Sequence, residues 1–556
     1  MALLPDLIGK ERLFSKFINK LPSTLRIVLA WCSLCDYFND TVLKEILLGI
    51  QQEIEFSDEL WHWIIDLEFT QKFPVADDFY QIKPSYRKLL QKYINKGESR
   101  SNLVRILKKC VRNGNKPQYV SLYKAEIIVH QIRSNSSDIT EEAIDDIFDI
   151  LEIFRYEETV YKIILGSLSE KFRRHKNMYR IYQTAAAIPR RTNIDSILIF
   201  PTAIILEKVA SQLRPRKFTV FPLYIVSLVY QTWSNHKRAI NTLNRAIEHL
   251  PDESSKSAGV LMSRLALSYI MVGNMSKAKK ALLEAERILE INSNEWIDNQ
   301  LNKQIWYLKR GYWQEAERIG SSLEKSLKDP YLKAKHAHIL GVNYLYLGSL
   351  DKAEIYARKC EELSSHVTLS SWVVGKAWRN RFAYALLSTV ALVNGLYKSL
   401  DKQEEDFRKS VLTAGETTRY LSPLFRWILG STVQSHYLYT EASIAAIKGN
   451  YSRAERKYLQ LQQDKHLEVY YLISSHLDLA TIYLKTNRVD EAINLYQFCA
   501  EEASKLGFKY LEVRALKKAC EIRFDESLAA KIDGLDRNIY TIGSSCIDNL
   551  EFLIPV

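Results

Sequence analysis

Small and aromatic residues recur at fixed offsets along residues 219–500, among apolar positions spaced three and four residues apart. The clearest copy of the pattern consists of Ala266, Tyr269, Gly273, Ala278, Leu282 and Ala285. Apolar residues at this spacing predict amphipathic helices, and the glycine between the two halves predicts a turn. Each copy is therefore predicted to be a pair of helices.

One alanine marks each copy, and the markers are Ala239, Ala278, Ala316, Ala353, Ala454 and Ala492. Successive markers are 39, 38, 37, 101 and 38 residues apart, so the long interval predicts one or two divergent copies, around 382–391 and 407–414. Small residues let two helices approach closely, and tyrosines fill the groove between neighbouring pairs. Because one pair cannot bury its apolar side alone, the copies must stack. Stacks of this kind bind partners far more often than they catalyse reactions.

The N-terminal residues follow a different pattern. Helical spacing of apolar residues begins at Leu25 and returns over roughly 41–50 and 57–67. Two short segments, 69–75 and 79–82, predict strands joined by a turn, and a further helix is predicted over 86–94 after Pro84. Three helices and a hairpin describe a winged helix.

Two family resemblances follow from these residues. The segments Leu21–Leu29 and Phe79–Leu90 resemble the winged-helix module of STAND-class regulatory ATPases, with Lys83-Pro84 where that class usually has His-Pro. The repeats resemble tetratricopeptide repeats of the maltose-regulator type. The resemblance implies an all-α fold in which a tetratricopeptide-like α-solenoid follows a winged helix with a small β-hairpin. The expected domains are 1–95 (winged helix), 96–218 (basic helical linker), 219–525 (repeats) and 526–556 (C-terminal cap or tail).

Composition narrows the function. A segment typical of export is not found at the N-terminus, and seven scattered cysteines fit reduced thiols, so we expect a cytoplasmic protein. STAND proteins are ATPases, but no phosphate-binding loop motif is present. We expect no cofactor, no metal site and no enzyme activity, and a nucleotide switch would have to come from a separate ATPase or effector subunit. Cys32 and Cys35 have a redox-like spacing but continue an apolar helical stripe, which favours core cysteines over a redox pair.

Charge is distributed in blocks. Twelve Lys/Arg face one acid between Lys83 and Lys124, and eleven face two acids between Lys171 and Lys217, with an acidic run near 138–158 between them. This bias predicts phosphate contacts, or docking onto the acidic run or an acidic partner. The candidate residues are Lys83, Arg87, Lys88, Lys108, Lys109, Arg112, Arg173, Arg174, Lys176, Arg190 and Arg191.

The family resemblance also implies which residues line the groove of the repeats. They are Tyr224, Lys335, His338, His436, Tyr439 and Ser474, with Phe221, Ser263, Leu267, Val342, Ser443 and Thr481 beside them. The alternative is that several of them pack between helix pairs. Two functions stay open: a non-enzymatic adaptor or sensor that binds a protein or peptide in this groove, and a nucleic-acid-associated regulator that uses the basic N-terminal half.

Overall fold

The computed structural model describes residues 13–50, 54–73, 78–113, 117–133, 196–212, 216–232, 235–250, 255–366, 432–464 and 467–539. The chain divides into two compact units, Met1–Gln183 and Thr184–Val556. The predicted divergent copies around 382–391 and 407–414 lie outside the described residues, and the domain boundaries at 95, 218 and 525 stay predictions. No helix in the described ranges is both long and apolar enough to cross a membrane.

The first unit contains short helices and a small antiparallel sheet. Its helices are α1 Ser23–Leu34, α2 Asp40–Gly49, α3 Asp58–Ile65, α4 Pro84–Leu90, α5 Lys96–Asn113 and α6 Pro117–Arg133, and its strands are β1 Thr70–Lys72 and β2 Tyr80–Ile82. Gln71 lies opposite Gln81 in the sheet. The predicted order of three helices followed by a hairpin and another helix is therefore present. That this module belongs to the STAND class stays a prediction.

Buried polar contacts hold α1, α4 and α6 together. Arg87 of α4 donates to the carboxylate of Asp36, to the backbone carbonyl of Asp36 (2.6 Å) and to the carbonyl of Ile82 (2.8 Å). The carboxylate of Glu126 in α6 accepts from the backbone N–H of Asp36 (2.6 Å) and lies 3.1 Å from His130 Nε2. Because one segment after α1 serves both neighbours, losing either contact would leave buried charge uncompensated.

The second unit is a stack of helix pairs. Its helices are α7 Ser196–Ala210, α8 Val220–Thr232, α9 His236–Glu248, α10 Lys256–Met271, α11 Met275–Ile288, α12 Asn294–Arg310, α13 Trp313–Leu323, α14 Pro330–Tyr346, α15 Leu350–His366, α16 Thr432–Ile447, α17 Tyr451–Gln462, α18 Val469–Lys485, α19 Val489–Leu506, α20 Lys509–Ile522 and α21 Glu526–Ile539. Consecutive helices from α8 to α15 and from α16 to α21 pack against each other. The chain is a tetratricopeptide-like α-solenoid, as the sequence predicts.

The repeated residues occupy equivalent places in this stack. Every marker alanine is the fourth residue of the second helix of its pair and is fully buried. In each pair the backbone N–H that opens the second helix donates to the carbonyl five residues earlier, as from Asn274 to Tyr269 and from Asn450 to Ala445 (both 2.8 Å). The turn requires a left-handed residue, which is Gly273 in one pair (φ 79°) and Asn487 in another (φ 59°). The sequence pattern is thus a turn pattern and a packing pattern together.

Pairs that are distant in sequence also touch. Tyr346 of α14 and Tyr470 of α18 are 124 residues apart, yet their hydroxyl oxygens lie 3.3 Å apart. Trp313 of α13 packs edge-to-face against Tyr510 of α20, with ring centroids 5.1 Å apart. In a simple stack each pair would contact its neighbours alone. Here the C-terminal pairs return against the middle of the stack.

Candidate binding face of the repeats

The two helices of each pair differ in how they use charge. Second helices carry ion pairs between residues three or four positions apart in the same helix and largely exposed, such as Arg287–Glu284, Arg318–Glu315 and Arg358–Glu354. Exposed pairs of this type contribute little to stability and are typical of a solvated outer face. First helices instead direct polar side chains at one another across successive pairs. The polar contacts that connect repeats therefore concentrate on the first helices.

A polar cluster joins the first helices α10, α12 and α14. Lys335 Nζ donates to Asp298 Oδ1 (2.8 Å) and to Asn302 Oδ1 (2.7 Å). Arg264 pairs with the same carboxylate, with Nη2 3.3 Å from Asp298 Oδ2. Asn302 Nδ2 donates to Ser263 Oγ (3.0 Å). We call these five residues the three-helix polar cluster.

Charge and burial suit this cluster to ligand recognition. The side chains of Arg264, Asp298 and Lys335 are 12%, 11% and 13% exposed, so the ion network lies at the edge of the surface. Ion pairs at this burial attract more strongly than fully solvated pairs, because less water screens them. An ammonium has three N–H donors, and two of those on Lys335 are used by Asp298 and Asn302. One donor is left for a carbonyl or carboxylate of a ligand.

The structure separates the predicted groove residues. Lys335 and Ser263 belong to the polar cluster, and His338, partly buried, lies one turn beyond Lys335 on α14. Tyr224 and Ser474 are buried among the helices, and Ser474 Oγ donates to a carbonyl of its own helix, that of Tyr470 (2.9 Å). His436 lies in α16, but its side chain lies outside the described part of the chain.

Tyr439 is also buried and takes part in an internal network. Its hydroxyl donates to Asp478 Oδ2 (2.8 Å), and the hydroxyl of Tyr458 donates to the same oxygen (3.0 Å). Ser443 Oγ lies 3.0 Å from the Tyr458 hydroxyl. Burial, with the nearby carboxylate, raises the pKa of both tyrosines well above the ordinary value. This network connects α16, α17 and α18 through neutral tyrosines.

A buried cation joins the middle of the stack to its C-terminal pairs. Lys309, the penultimate residue of α12, places Nζ 4.2 Å and 4.6 Å from the ring centroids of Tyr470 and Tyr471 in α18. The nearest carboxylate oxygen, Glu468 Oε2, is 3.8 Å away. Burial lowers the pKa of Lys309, although Glu468 opposes that shift. We call these four residues the Lys309 clamp.

The predicted basic residues of the first unit have different environments. Arg87 is committed to Asp36 in the core, and Lys83 Nζ donates to the carbonyl of Glu68 (2.5 Å). Lys88 is exposed on α4. Three exposed candidates lie on α5, namely Lys108, Lys109 and Arg112, and Arg105 on the same helix joins them although the sequence pattern did not single it out. Arg173, Arg174, Lys176, Arg190 and Arg191 lie outside the described residues.

The cysteine pair is buried in the first unit. Burial raises the pKa of Cys32 to about 12 and that of Cys35 well above its ordinary value. Both side chains are fully buried, so each thiol is held protonated at neutral pH. A thiol in this state is a poor nucleophile. Across the described ranges, no three His, Cys, Asp or Glu side chains are grouped closely enough to hold a metal ion.

No protein-family model matches this chain, and no curated protein matches it. Among solved structures, it is similar to a STAND protein with a tetratricopeptide-repeat sensor from Pyrococcus horikoshii (15% identity, 95% of this chain and 67% of that one, TM-score 0.40). It is similar to a Rap protein complexed with Competence and Sporulation Factor (12% identity, 78% and 99%, TM-score 0.40). It is also similar to the APC/C hetero-tetramer Cut9–Hcn1 (12% identity, 79% and 96%, TM-score 0.25). At these TM-scores the fold assignment rests on the helix pairs of the chain itself.

Proposed function

We propose that this protein is a non-enzymatic adaptor or sensor that binds a protein or peptide partner and regulates the assembly of a complex. The partner would lie along the first helices α10, α12 and α14, over the three-helix polar cluster. Lys335 would donate to a main-chain carbonyl or a carboxylate of the partner. His338, one turn further along α14, extends the same polar face.

The position of Lys335 carries this proposal. Its ammonium is already oriented by Asp298 and Asn302, so little side-chain entropy is lost when a ligand binds. Charge-assisted hydrogen bonds are about twice as strong as neutral ones. Because the cluster spans three successive helix pairs, one ligand would contact all three at once.

Such contact would act on the curvature of the stack. A ligand that fits one arrangement of the three pairs better than another shifts the population toward that arrangement. At a ligand concentration about 100 times Kd, this stabilises the bound arrangement by about 2.7 kcal/mol. The adaptor would thus report the partner's presence without a chemical step.

Affinity capture with the full chain tests the proposal. Wild type and Lys335→Met are immobilised at equal density, and proteins recovered from the source lysate are quantified by mass spectrometry. Methionine keeps the apolar stem and removes the donors, while Asp298 keeps Arg264. Losing a charged hydrogen bond costs about 1.5–3 kcal/mol, so the specific partner should be recovered at least about tenfold less.

The matched control is Arg318→Met, which removes one positive charge from the outer helix α13. It should recover the partner as well as wild type does. Circular dichroism confirms that both variants are folded. Equal recovery by Lys335→Met and wild type, or equal loss in both variants, would contradict a binding role for the cluster.

A further inference from the structure

Four basic side chains form one stripe along α5. They are exposed and stand at positions i, i+3, i+4 and i+7, which lie on one side of a helix. We call them the basic stripe: Arg105, Lys108, Lys109 and Arg112. The opposite side of α5 is apolar and buried, through Leu103, Ile106, Leu107 and Cys110.

Packing fixes the direction of the stripe. Ile106 packs so closely on α2 that a Cβ added to Gly49 would come within 2.9 Å of its Cδ1. The buried side of α5 is therefore fixed against α2, and the basic stripe is fixed facing away from it. A rigid charged surface loses less entropy on binding than a set of flexible side chains.

Acidic residues near the stripe are few. The whole of α5 contains one acid, Glu98, near its start. Lys109 Nζ is 3.9 Å from Glu45 Oε2 while the lysine side chain stays 58% exposed, which is a weak pair in water. Cations near a helix C-terminus are favoured by the helix dipole. That effect is confined to about the last turn, and Arg105 lies before it.

We propose that the basic stripe binds the phosphate backbone of double-stranded nucleic acid without reading its sequence. Residues 105 to 112 span about 10 Å at 1.5 Å per residue, so the four charges are on average about 3.5 Å apart along the helix. A nucleic-acid strand carries one charge per about 3.4 Å of duplex axis. A continuous polyanion therefore matches the stripe charge for charge. Aliphatic stems and guanidinium groups of this kind contact phosphates and position a protein on a duplex.

The salt dependence of binding tests the proposal. Fluorescence anisotropy of a labelled mixed-sequence DNA duplex of about 20 base pairs is measured with the full chain. With four phosphate contacts, log K should fall with log salt at a slope of about −3.6, or about 150-fold between 50 and 200 mM. Arg105→Gln with Arg112→Gln should reduce the slope to about −1.8 and weaken binding at low salt at least about tenfold.

The control variant is Lys279→Gln with Lys280→Gln, which removes two exposed charges from α11 in the second unit. It should leave the slope and the affinity as in wild type. No duplex binding at 50 mM salt, or the same loss in both double variants, would overturn the proposal. Polyglutamate of equal charge serves as competitor, and if it displaces the duplex at equal charge concentration, an acidic protein surface is the better partner and the proposal fails.

Discussion

Replacing Glu468 by glutamine should loosen the contact between α12 and α18. The Glu468 carboxylate lies 3.8 Å from Lys309 Nζ, and both side chains are about nine-tenths buried. At an effective dielectric constant of about 20, charges at this distance attract by about 4 kcal/mol. The two tyrosine rings supply about 2 kcal/mol more and stay in place. Glutamine has nearly the same shape, so the main change is the loss of charge.

The expected loss is smaller than the full attraction. Burial already lowers the pKa of Lys309, and without Glu468 nothing in the pair opposes that shift, so part of the population loses its proton and escapes the penalty. Breaking a buried ion pair costs about 3–5 kcal/mol, and we expect about 3 kcal/mol here. A loss of 3 kcal/mol corresponds to about a 100-fold increase in opening.

Native-state hydrogen exchange measures this opening locally. Amides of α18 should exchange about 100-fold faster in Glu468→Gln. In the double variant Lys309→Met with Glu468→Gln, most of the protection should return, because no unpaired charge is left buried. The control Glu502→Gln, in an exposed pair of α19, should leave α18 unchanged. If Glu468→Gln exchanges like wild type, or if the two changes in the double variant are additive within about 0.5 kcal/mol, the clamp does not hold these pairs together.

Two further predictions concern the repeat packing and the first unit. Ala278→Leu should cost about 2 kcal/mol because the marker position is fully buried at a helix crossing, whereas Lys279→Leu beside it should leave thermal unfolding unchanged; equal melting curves would contradict this. Burial and Asp36 raise the pKa of Glu126 above its ordinary value of 4.5, so the folded protein binds this proton more tightly than the unfolded chain does, and that stabilisation is lost as pH rises through the raised pKa. Glu126→Gln lacks this loss, so its melting temperature relative to wild type should rise with pH above 4.5, and a constant difference would contradict the assignment.

The helix pairs could be predicted from sequence because their signal is local and repeated. The tyrosine, glycine and alanine of the copy at Tyr269, Gly273 and Ala278 determine one turn and one crossing, and both depend on residues within about ten positions. The same pattern returning six times leaves little ambiguity. Turn and packing positions were therefore correctly predicted where the structure describes them.

The binding face was harder, because a face depends on the neighbouring pair. Lys335 was a candidate, but its partner Asp298 was not, although the two are 37 residues apart, which equals one repeat interval. Ser263 and Asn302 are likewise 39 residues apart. Polar residues separated by one repeat interval on first helices are the signal that would have found the cluster. A helical position one residue away points about 100° elsewhere, which is why Tyr439 lies in the core.

The contact between middle and C-terminal pairs had no sequence signal. The curvature of a stack is the sum of small rotations between neighbouring pairs, and each depends on side-chain packing that composition does not specify. The clamp residue Lys309 and the ring of Tyr470 meet only because those rotations add up over several pairs. Arg87 illustrates the same limit in the first unit, since its basic character suggested phosphate contacts and its place in the fold gives it to Asp36.

Hydrogen exchange of the full chain with and without the captured partner tests the central claim most directly, that the first-helix face binds it. Mass spectrometry would compare α10, α12 and α14 with the outer helices α11, α13 and α15. We predict that the partner protects the three first helices around the polar cluster and leaves the outer three unchanged, and that Lys335→Met abolishes this protection. Protection confined to the outer helices, or the same protection in Lys335→Met, would contradict the account.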